Sequence, residues 1–342
     1  MRRIVIDRPG GYAALRRVES ADPQPKAGEV RIAVRACGVN YADGIIRLGL
    51  YESAKRLHGY PITPGFEVAG EIDAVGDGVD PARVGERVIG VTLFGGYASS
   101  ICLAEDCVFA LPDGLTFEQG AAIPTVFLTA WFMAHRQVHP EPGDRWLVHS
   151  AAGGVGGALL QLAALAGVET LAVVGATHKV DAARALGATH VIDKSAGDWV
   201  AAARATAPDG VDAAFDANGV STMRASFDLL APMGKLVVYG FASMLPSDGR
   251  LNWARLAWRW WRTPRFDPLV MTSTNRSVLA ANLSFLSAEA PLLRRGMLWL
   301  LERFSDGRLR PPPVEAFALV DAARAHRRIE SGQSVGKLVL LP

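Results

Sequence analysis

The sequence predicts a two-domain α/β protein, with a β-rich, barrel-like domain beside a doubly wound parallel sheet. The first observation is its length of 342 residues, which is too long for one typical hydrophobic core. The second is a glycine-rich turn at 151–157, between a short apolar run and an Ala/Leu-rich helix. The third is the alternation of strand-like and helix-like runs from residue 145 onward, which is typical of a parallel sheet covered by helices.

The first third of the chain predicts short β-strands. Apolar or alternating runs lie at 4–6, 29–36, 67–75 and 87–91, and Pro, Gly and Asp separate them. Many short strands with frequent turns indicate a barrel-like antiparallel domain. The pattern then becomes helical over 117–134.

The second part of the chain predicts a parallel sheet. After the strand and helix around the glycine turn, strand-like runs alternate with helical runs, and the strands lie at 171–174, 190–192, 211–216 and 235–239. A sixth strand is predicted within 277–286. The tail has a helix at about 320–329 and a strand at 337–341, and we expect it to return to the first domain.

The glycine turn predicts a dinucleotide site. Ala151-x-Gly153-x-x-Gly156 is a variant of the dinucleotide fingerprint, with Ala at the first position. The motif needs a tight turn, close approach of the backbone to a pyrophosphate, and a helix N-terminus that presents free N–H groups. The alternative is a plain tight turn. The predicted cofactor contacts here are Ala151, Gly153, Gly154, Val155 and Gly156.

The end of the second strand predicts the kind of nucleotide. An acid at this position selects NAD, whereas a basic residue accommodates the extra phosphate of NADP. No acid occurs before Asp181, which falls inside the next helix. Thr177 and Lys179 suit a phosphate, and Lys194 after the third strand could add a second cation. The alternative is that both lysines are solvated surface residues. The sequence therefore favours NADPH over NADH.

Composition excludes several other classes. A formal net charge of +2 gives no reason to expect a nucleic-acid partner. The three cysteines, Cys37, Cys102 and Cys107, form no C-x-x-C pair and cannot make a disulfide framework. No signal-peptide core or run of about 20 uncharged apolar residues is present. These features together predict a cytoplasmic protein.

Several motifs carry a family resemblance over essentially the whole chain. They are Asn40-Tyr41-Ala42-Asp43, Gly49-Leu50-Tyr51, Pro64 to Gly70, Leu111 to Gly114, and the turn from Ala151 to Gly157. Together they resemble the medium-chain dehydrogenase/reductase superfamily, in its zinc-free quinone oxidoreductase branch. The segments Asn252 to Trp261 and Asn275 to Val278 further resemble the homologues of vesicle amine transport protein.

The resemblance implies a catalytic domain split between the two termini, with the nucleotide domain inserted. The expected boundaries are 1–125, 126–305 and 306–342. It also implies NADPH-dependent hydride transfer to quinones or enones, and a homodimer.

The resemblance also bears on metal binding. Zinc-dependent relatives place a Cys where Asn40 stands and a His where Phe66 stands, and amide and phenyl groups cannot replace these ligands. The four cysteines of a structural zinc lobe are missing as well. We therefore expect no metal.

The resemblance places two side chains on the substrate side. Asn40 and Tyr51 could each donate a hydrogen bond to a carbonyl oxygen, and Tyr51 could also relay a proton. The alternative for Tyr51 is a half-buried packing aromatic. Further cofactor contacts are expected at Thr129, which could simply be buried, and at the carboxyl ends of strands, at Asn218, Tyr239, Gly240 and Phe241.

A segment at 253–262 is rich in Trp and Arg. At helical spacing Arg255, Arg259 and Arg262 share one face, while Trp and Leu side chains lie mainly on the other. The segment could lie on a membrane surface, form a lid or dimer contact, or be an ordinary packed helix. With so few cations, the sequence favours the lid or interface.

Three functions are compatible with these features. The first is an NADPH-dependent, metal-free reductase of quinones or enones. The second is a dedicated biosynthetic enoyl reductase. The third is an NADPH-binding interaction protein at membranes with little turnover.

Overall fold

In a computed structural model, the chain is described over residues 1–244, 251–286 and 289–342. The described residues form two compact units. One unit holds Met1–Leu128 and Ser284–Pro342, and the other holds the described parts of Thr129–Pro246 and Leu251–Leu283. The sequence predicts that the chain returns to the first domain at residue 306, whereas in the structure the first unit resumes at Ser284.

The first unit is built mainly on antiparallel strands. Its first part has the helices α1 (Tyr41–Arg47), α2 (Glu52–Leu57) and α3 (Phe117–Ala121), and α4 (Pro124–Trp131) leads out of it. Its strands are β1 (Arg2–Val5), β2 (Arg16–Glu19), β3 (Glu29–Val39), β4 (Glu67–Val75), β5 (Arg87–Val91), β6 (Ser100–Ala104) and β7 (Val108–Ala110).

The second unit alternates strand and helix, as the sequence predicts. Its strands are β8 (Arg145–His149), β9 (Glu169–Val174), β10 (His190–Asp193), β11 (Val211–Asp216), β12 (Leu230–Val238) and β13 (Ser277–Ala280). Its helices are α5 (Gly154–Leu165), α6 (Val180–Ala185), α7 (Trp199–Thr206), α8 (Met223–Asp228), α9 (Trp253–Trp261) and α10 (Pro268–Thr274).

The strands of the second unit form a parallel sheet in the order β10-β9-β8-β11-β12-β13. Counted within the unit, this is the order 3-2-1-4-5-6 of a doubly wound sheet. The central strands carry continuous apolar runs because helices cover both faces of such a sheet. Trp146 and Phe215, both fully buried on neighbouring strands, have ring centroids 4.9 Å apart. The predicted fold class and the sixth strand are confirmed.

The last part of the chain belongs to the first unit. Helix α11 (Ala290–Ser305) contributes Phe304, whose ring centroid lies 4.9 Å from that of Phe127, and this packing explains the earlier boundary. Strand β14 (Val314–Ala318), helix α12 (Ala322–Glu330) and strand β15 (Lys337–Leu341) follow. Strand β15 pairs antiparallel with β3 and parallel with β14. The tail thus pairs with the sheet of the first unit.

The sheet of the first unit has the order β14-β15-β3-β4-β5-β7, and β6 also pairs with β3. Its core is mainly aliphatic and includes Val30, Ile32, Val68 and Leu338. Within the described ranges, no helix is long and apolar enough to cross a membrane.

Candidate functional site

The turn between β8 and α5 has little room for side chains. A Cβ atom on Gly156 would lie 2.4 Å from the Ser150 carbonyl oxygen and 2.7 Å from the Ala151 Cα. A Cβ on Gly157 would lie 2.8 Å from a Leu186 methyl group. Ser150 has a positive φ of 54°. Glycine at 156 is therefore needed for the close packing of helix and strand that the fingerprint predicts.

The N-terminus of α5 is suited to a phosphate. The first-turn N–H groups of a helix have no intrahelical acceptor, and the N-cap residue here, Gly153, supplies no side chain. No acidic residue occurs in the first turn, so the positive end of the helix dipole is not neutralised. Residues 153–155 are half-buried rather than covered. These features fit the pyrophosphate of a dinucleotide.

The sheet reverses its winding between β8 and β11, and this is the point where doubly wound folds bind ligands. The residues that follow these two strands meet there, because the Ser150 hydroxyl donates to the Asn218 Oδ1 at 3.3 Å. Asn218 is 8% exposed, and its Nδ2 has no partner among the described residues. The structure thus brings predicted Asn218 to the glycine turn.

A buried carboxylate holds the loop after β11. Asp216 is fully buried and accepts from the backbone N–H groups of Asn218 at 2.7 Å and Gly219 at 2.9 Å. It also accepts from the Thr222 hydroxyl at 2.7 Å. These bonds satisfy the charge and fix the loop. The sequence analysis did not identify Asp216 as a site residue, although it ends a predicted strand.

The loop after β12 lies against the loop after β11. The Ala242 N–H donates to the Ala217 carbonyl at 3.0 Å, and a Cβ on Gly240 would lie 2.6 Å from the same oxygen. Tyr239 and Gly240 are half-buried and Phe241 is exposed. The structure therefore brings these three predicted contacts to the edge where Asn218 lies.

His149 ends β8 as a buried, neutral side chain. Its Nε2 lies 2.8 Å from the Ser226 hydroxyl, and its ring packs edge-on against Trp199. Burial lowers the pKa of His149 to about 4. It is thus part of the core below the turn.

The region of the predicted extra phosphate is more complex than the sequence indicates. The Thr177 hydroxyl donates to Asp193 at 2.7 Å, and the Ser195 hydroxyl donates to the same carboxylate at 2.6 Å. These hydrogen bonds lower the pKa of Asp193. An ionised acid from the third strand therefore lies beside a hydroxyl that was predicted to contact phosphate.

The two predicted lysines differ in their surroundings. Lys179 is 9% exposed, so it is not a solvated surface lysine. Lys194 is exposed, and its Cε lies 3.5 Å from where a Cβ on Gly175 would stand. Lys194 thus reaches back over the loop after β9. Thr129, the remaining predicted cofactor contact, is half-buried on α4.

In the first unit, Asn40 is the N-cap residue of helix α1 and belongs to a buried ionic cluster. Its Nδ2 donates to Glu67 Oε1 at 3.0 Å, and its Oδ1 accepts from the Lys337 ammonium. Lys337 and Glu67 form an ion pair at 2.6 Å, and the other Glu67 oxygen accepts from the Thr125 N–H. Because a cation must face the amide oxygen and a carboxylate the amide nitrogen, the orientation of the Asn40 amide is fixed.

Asp43 anchors the loop that carries Asn40. It accepts from the Asn40 N–H at 2.8 Å, the Gly65 N–H at 3.0 Å and the Tyr97 hydroxyl at 2.9 Å. Burial raises the pKa of Asp43 to about 7, although these hydrogen bonds oppose the shift. Tyr97 also contacts His326, whose pKa burial lowers to about 3. Asp43 therefore has a structural role in holding the Asn40 loop.

Tyr51 is half-buried at the N-terminus of α2. Its hydroxyl lies 2.6 Å from the Ser284 hydroxyl, and its ring packs edge-on against Phe66 at 6.0 Å between centroids. Tyr51 thus has both a packing contact and a polar partner. The structure describes no group of three or more His, Cys, Asp or Glu side chains, within its described ranges, that could hold a metal ion.

The second unit has a doubly wound sheet with a glycine fingerprint, and the first unit is rich in β-strands. This combination is typical of proteins that bind a dinucleotide cofactor. Family models agree. A model described as alcohol dehydrogenase GroES-like domain matches residues 26–113, and one described as zinc-binding dehydrogenase matches 186–340. The chain belongs to the medium-chain dehydrogenase/reductase superfamily, and it is therefore an oxidoreductase by family.

Individual relatives are similar over the full chain. The synaptic vesicle membrane protein VAT-1 homolog of Rattus norvegicus is 34% identical, over 100% of this chain and 84% of the relative. Escherichia coli quinone oxidoreductase complexed with NADPH has a TM-score of 0.86 at 27% identity, over 100% of both chains. A mycobacterial protein complexed with NADPH has a TM-score of 0.85 at 30% identity, also over 100% of both chains.

The CurK enoyl reductase is another structural neighbour, with a TM-score of 0.82 and 28% identity over 99% of this chain and 98% of that one. The resemblance to the superfamily and to VAT-1 homologues is confirmed.

Sequence reasoning missed Glu67 and Lys337 as members of the Asn40 cluster. Glu67 lies within the motif from Pro64 to Gly70, and an acidic residue between the apolar side chains of Phe66 and Val68 was a usable signal. Lys337 begins the last strand, and nothing local distinguishes it from a surface lysine. Only the pairing of β15 with β3 brings it to Asn40.

Proposed function

We propose that the protein is an NADPH-dependent reductase that delivers hydride to a quinone or an α,β-unsaturated carbonyl compound without a metal ion. The observation that carries the proposal is the turn from Ser150 to Gly157, where the backbone leaves no room for a Cβ at Gly156 and the following helix begins without an acid. Both features are what a bound pyrophosphate requires.

The residues that would hold the cofactor lie at the carboxyl edge of the parallel sheet. Backbone N–H groups at 153–156 would bind the pyrophosphate, with Ala151 in the turn below them. The Asn218 amide and the loop at 239–241 would contact the nicotinamide half, and Thr129 is a further candidate contact. When bound, NADPH supplies the hydride.

The preference for NADPH over NADH rests on two cations. Lys194 is exposed beside Gly175, and Lys179 lies in the turn that follows β9. Both can neutralise a ribose phosphate. The Thr177 hydroxyl donates to Asp193 and would have to break this bond before it could contact the phosphate. We therefore assign Thr177 a smaller contribution to phosphate binding than the two lysines.

On the substrate side, we assign the hydrogen-bond donor to Asn40. An amide nitrogen carries two N–H bonds, and Glu67 accepts from one of them. The second would donate to the substrate oxygen on which negative charge develops. Lys337 polarises the amide through its oxygen, which makes the N–H groups stronger donors.

Tyr51 is the proposed source of a proton. Its hydroxyl is paired with the Ser284 hydroxyl, which can return a proton to it or orient it. Quinones and enones suit this arrangement because their developing charge is delocalised onto one oxygen. A simple unactivated carbonyl group would need a stronger electrophile.

A dedicated enoyl reductase is the second candidate, and the similarity to the CurK enoyl reductase favours it. The test is oxidation of NADPH and NADH with a panel of quinones, enones and enoyl thioesters. Turnover of quinones with NADPH supports the first function, and turnover restricted to one enone or thioester supports the second. No turnover with any acceptor, together with retained NADPH binding, would leave the interaction-protein alternative. A strong preference for NADH would contradict the cofactor proposal.

The proposal includes a cytoplasmic location, which the composition indicates, and a homodimer, which the family resemblance implies. Analytical ultracentrifugation of the purified chain tests this, and a monomer at all concentrations would contradict it.

A further inference from the structure

The first unit contains a cleft that the function proposed above does not use. The cleft has a volume of about 330 Å³ and is lined by residues from the start of the chain, from the segment 23–29 and from strand β6. The residues proposed to contact NADPH or the substrate are not among those that line it. It is therefore a separate feature of the first unit.

One wall of the cleft is built by strand pairing. Arg3, on β1, pairs antiparallel with Ala98, which lies just before β6. Ala98, Ser100 and Cys102 all line the cleft, and they are spaced two residues apart. Because successive side chains of a strand point to opposite faces, these three share one face, and the pairing places Arg3 beside them.

Two buried polar atoms of this wall have no hydrogen-bond partner among the described residues. They are the Ser100 Oγ and the Arg3 Nε, and Ser100 is only 6% exposed. Buried donors in folded proteins are almost always paired, because an unpaired donor has lost its bonds to water without replacement. Two such atoms on side chains that line one cleft indicate that an acceptor from outside the chain completes them.

The charges of the cleft favour an anionic acceptor. Among the described side chains that line it, Arg3 and Lys26 are cations and Glu29 is the only acid. The Glu29 carboxylate accepts from the Lys26 backbone N–H at 3.0 Å, which leaves the Arg3 Nε–H without an acid. A guanidinium presents its N–H groups in a planar fork that matches the two oxygens of a carboxylate.

We propose that this cleft binds a small organic carboxylate with a short apolar body. The Arg3 guanidinium and the Ser100 hydroxyl donate to the carboxylate oxygens, and Lys26 adds a second positive charge. The apolar side chains of Pro23 and Ile101, which also line the cleft, contact the rest of the molecule. The ligand thereby satisfies both buried donors.

Such a ligand would join two parts of the first unit. Arg3 belongs to β1, which forms a two-stranded sheet with β2, whereas Ser100 belongs to β6, which pairs with β3 of the larger sheet. The donors come together only in the folded chain, so the ligand binds the folded form alone. Binding should therefore raise the melting temperature of the protein.

The test is calorimetric titration of the full chain with benzoate, a rigid carboxylate with a small apolar body. Benzamide is its neutral analogue, and inorganic phosphate is an anion that has no apolar body. We expect saturable binding of one benzoate per chain, with weaker binding of both comparison compounds. A tighter complex with benzamide or phosphate than with benzoate would contradict the assigned ligand class.

Variants of the two donors locate the site. Arg3→Gln and Ser100→Ala should each weaken benzoate binding at least roughly tenfold, because each removes a donor to a charged acceptor. Ser100→Ala deletes a buried hydroxyl that has no partner in the chain, so it should unfold at a urea concentration no lower than the wild type does.

Arg2→Gln is the matched control. Arg2 is the exposed neighbour of Arg3 on β1, and strand alternation turns its side chain to the opposite face. This variant should bind benzoate like the wild type. The proposal is overturned if the wild type shows no saturable binding, or if Arg3→Gln and Ser100→Ala keep the wild-type affinity. An equal loss in Arg2→Gln and Arg3→Gln would also overturn it, because binding would then reflect the net charge of β1 alone.

Discussion

The ammonium of Lys337 lies 2.6 Å from a carboxylate oxygen of Glu67, and the two side chains are only 3% and 0% exposed. This buried ion pair holds the Asn40 amide from both ends, since Lys337 donates to its oxygen and Glu67 accepts from its nitrogen. A neutral amide thus stands in a strong local field. We infer that the pair positions the donor assigned to Asn40.

Replacing Lys337 with Met should separate folding from positioning. The variant leaves Glu67 as a buried carboxylate without its cation, which costs roughly 3–5 kcal/mol of unfolding free energy. Urea denaturation measures this loss. In the double variant Lys337→Met/Glu67→Gln no charge is left unpaired, so most of the stability should return while kcat stays low and KM changes less.

The double variant is the informative control. If it regained both stability and wild-type kcat, the ion pair would have a purely structural role. A kcat that remains depressed in a stable protein supports the positioning of Asn40.

Asn40→Ala and Tyr51→Phe test the two groups on the substrate side. Loss of a donor to a developing oxyanion lowers kcat by roughly 100-fold, and loss of a proton donor has a comparable effect. The affinity for NADPH should stay within about twofold, because neither change touches the glycine turn. Steady-state kinetics and fluorescence titration with NADPH provide the two readouts. Unchanged turnover in both variants would exclude these roles.

Much of the fold could be predicted because the second unit uses local patterns. Each strand of the parallel sheet is a short apolar run, and the turn that follows β8 has a recognisable motif. Strands β2, β6, β7 and β14 were not predicted. Strand β2 is mostly charged and β14 contains a glutamate, while β6 and β7 are separated only by the short turn Glu105–Cys107. Their pairing partners in the sheet, rather than their own sequences, determine them.

The candidate site was predictable only in part for the same reason. The glycine turn is contiguous in the sequence, whereas Lys337 and Asn40 are nearly 300 positions apart and meet only through strand pairing. The bond from Thr177 to Asp193 likewise joins the turn after β9 to the end of β10, two segments that are 16 residues apart in the sequence. A motif within one segment therefore identifies the turn that would bind the cofactor. The pairing of distant strands determines which side chains surround Asn40.

Gly156→Ala should impair cofactor binding more than folding of the rest of the chain. The added Cβ would meet the Ser150 carbonyl oxygen at 2.4 Å, so the turn must shift away from the position that binds a pyrophosphate. We expect NADPH affinity to fall at least roughly tenfold, measured by fluorescence titration. Gly197→Ala is the matched control, because no atom lies within 4 Å of its Cβ position. Equal affinities in the two variants would contradict this account of the turn.

Lys194→Ala tests the preference for NADPH. Removing a cation beside the ribose phosphate should weaken NADPH binding roughly tenfold and leave NADH binding nearly unchanged. A charge-assisted hydrogen bond to the phosphate contributes about 1.5–3 kcal/mol, and NADH has no phosphate at this position. Dissociation constants for both nucleotides provide the measurement. Arg204→Ala, which removes an exposed cation on α7, is the control. Equal losses for the two nucleotides would mean that Lys194 does not read the extra phosphate.

His326→Gln should remove part of the acid sensitivity of the first unit. Burial lowers the pKa of His326 from 6.5 to about 3 in the folded chain. Between these values the unfolded chain binds a proton that the folded chain does not, so stability falls as the pH drops from 6.5 toward 3. The contribution is about 1.4 kcal/mol per pH unit.

Asp43 acts in the opposite direction, because its raised pKa of about 7 makes the folded chain hold a proton that the unfolded chain releases. The test is therefore the difference in slope between variant and wild type in urea denaturation from pH 4.5 to 6.5, with exposed His58→Gln as the control. We expect the free energy of unfolding of His326→Gln to fall less steeply with acid, and parallel curves would show that His326 does not carry this pH dependence.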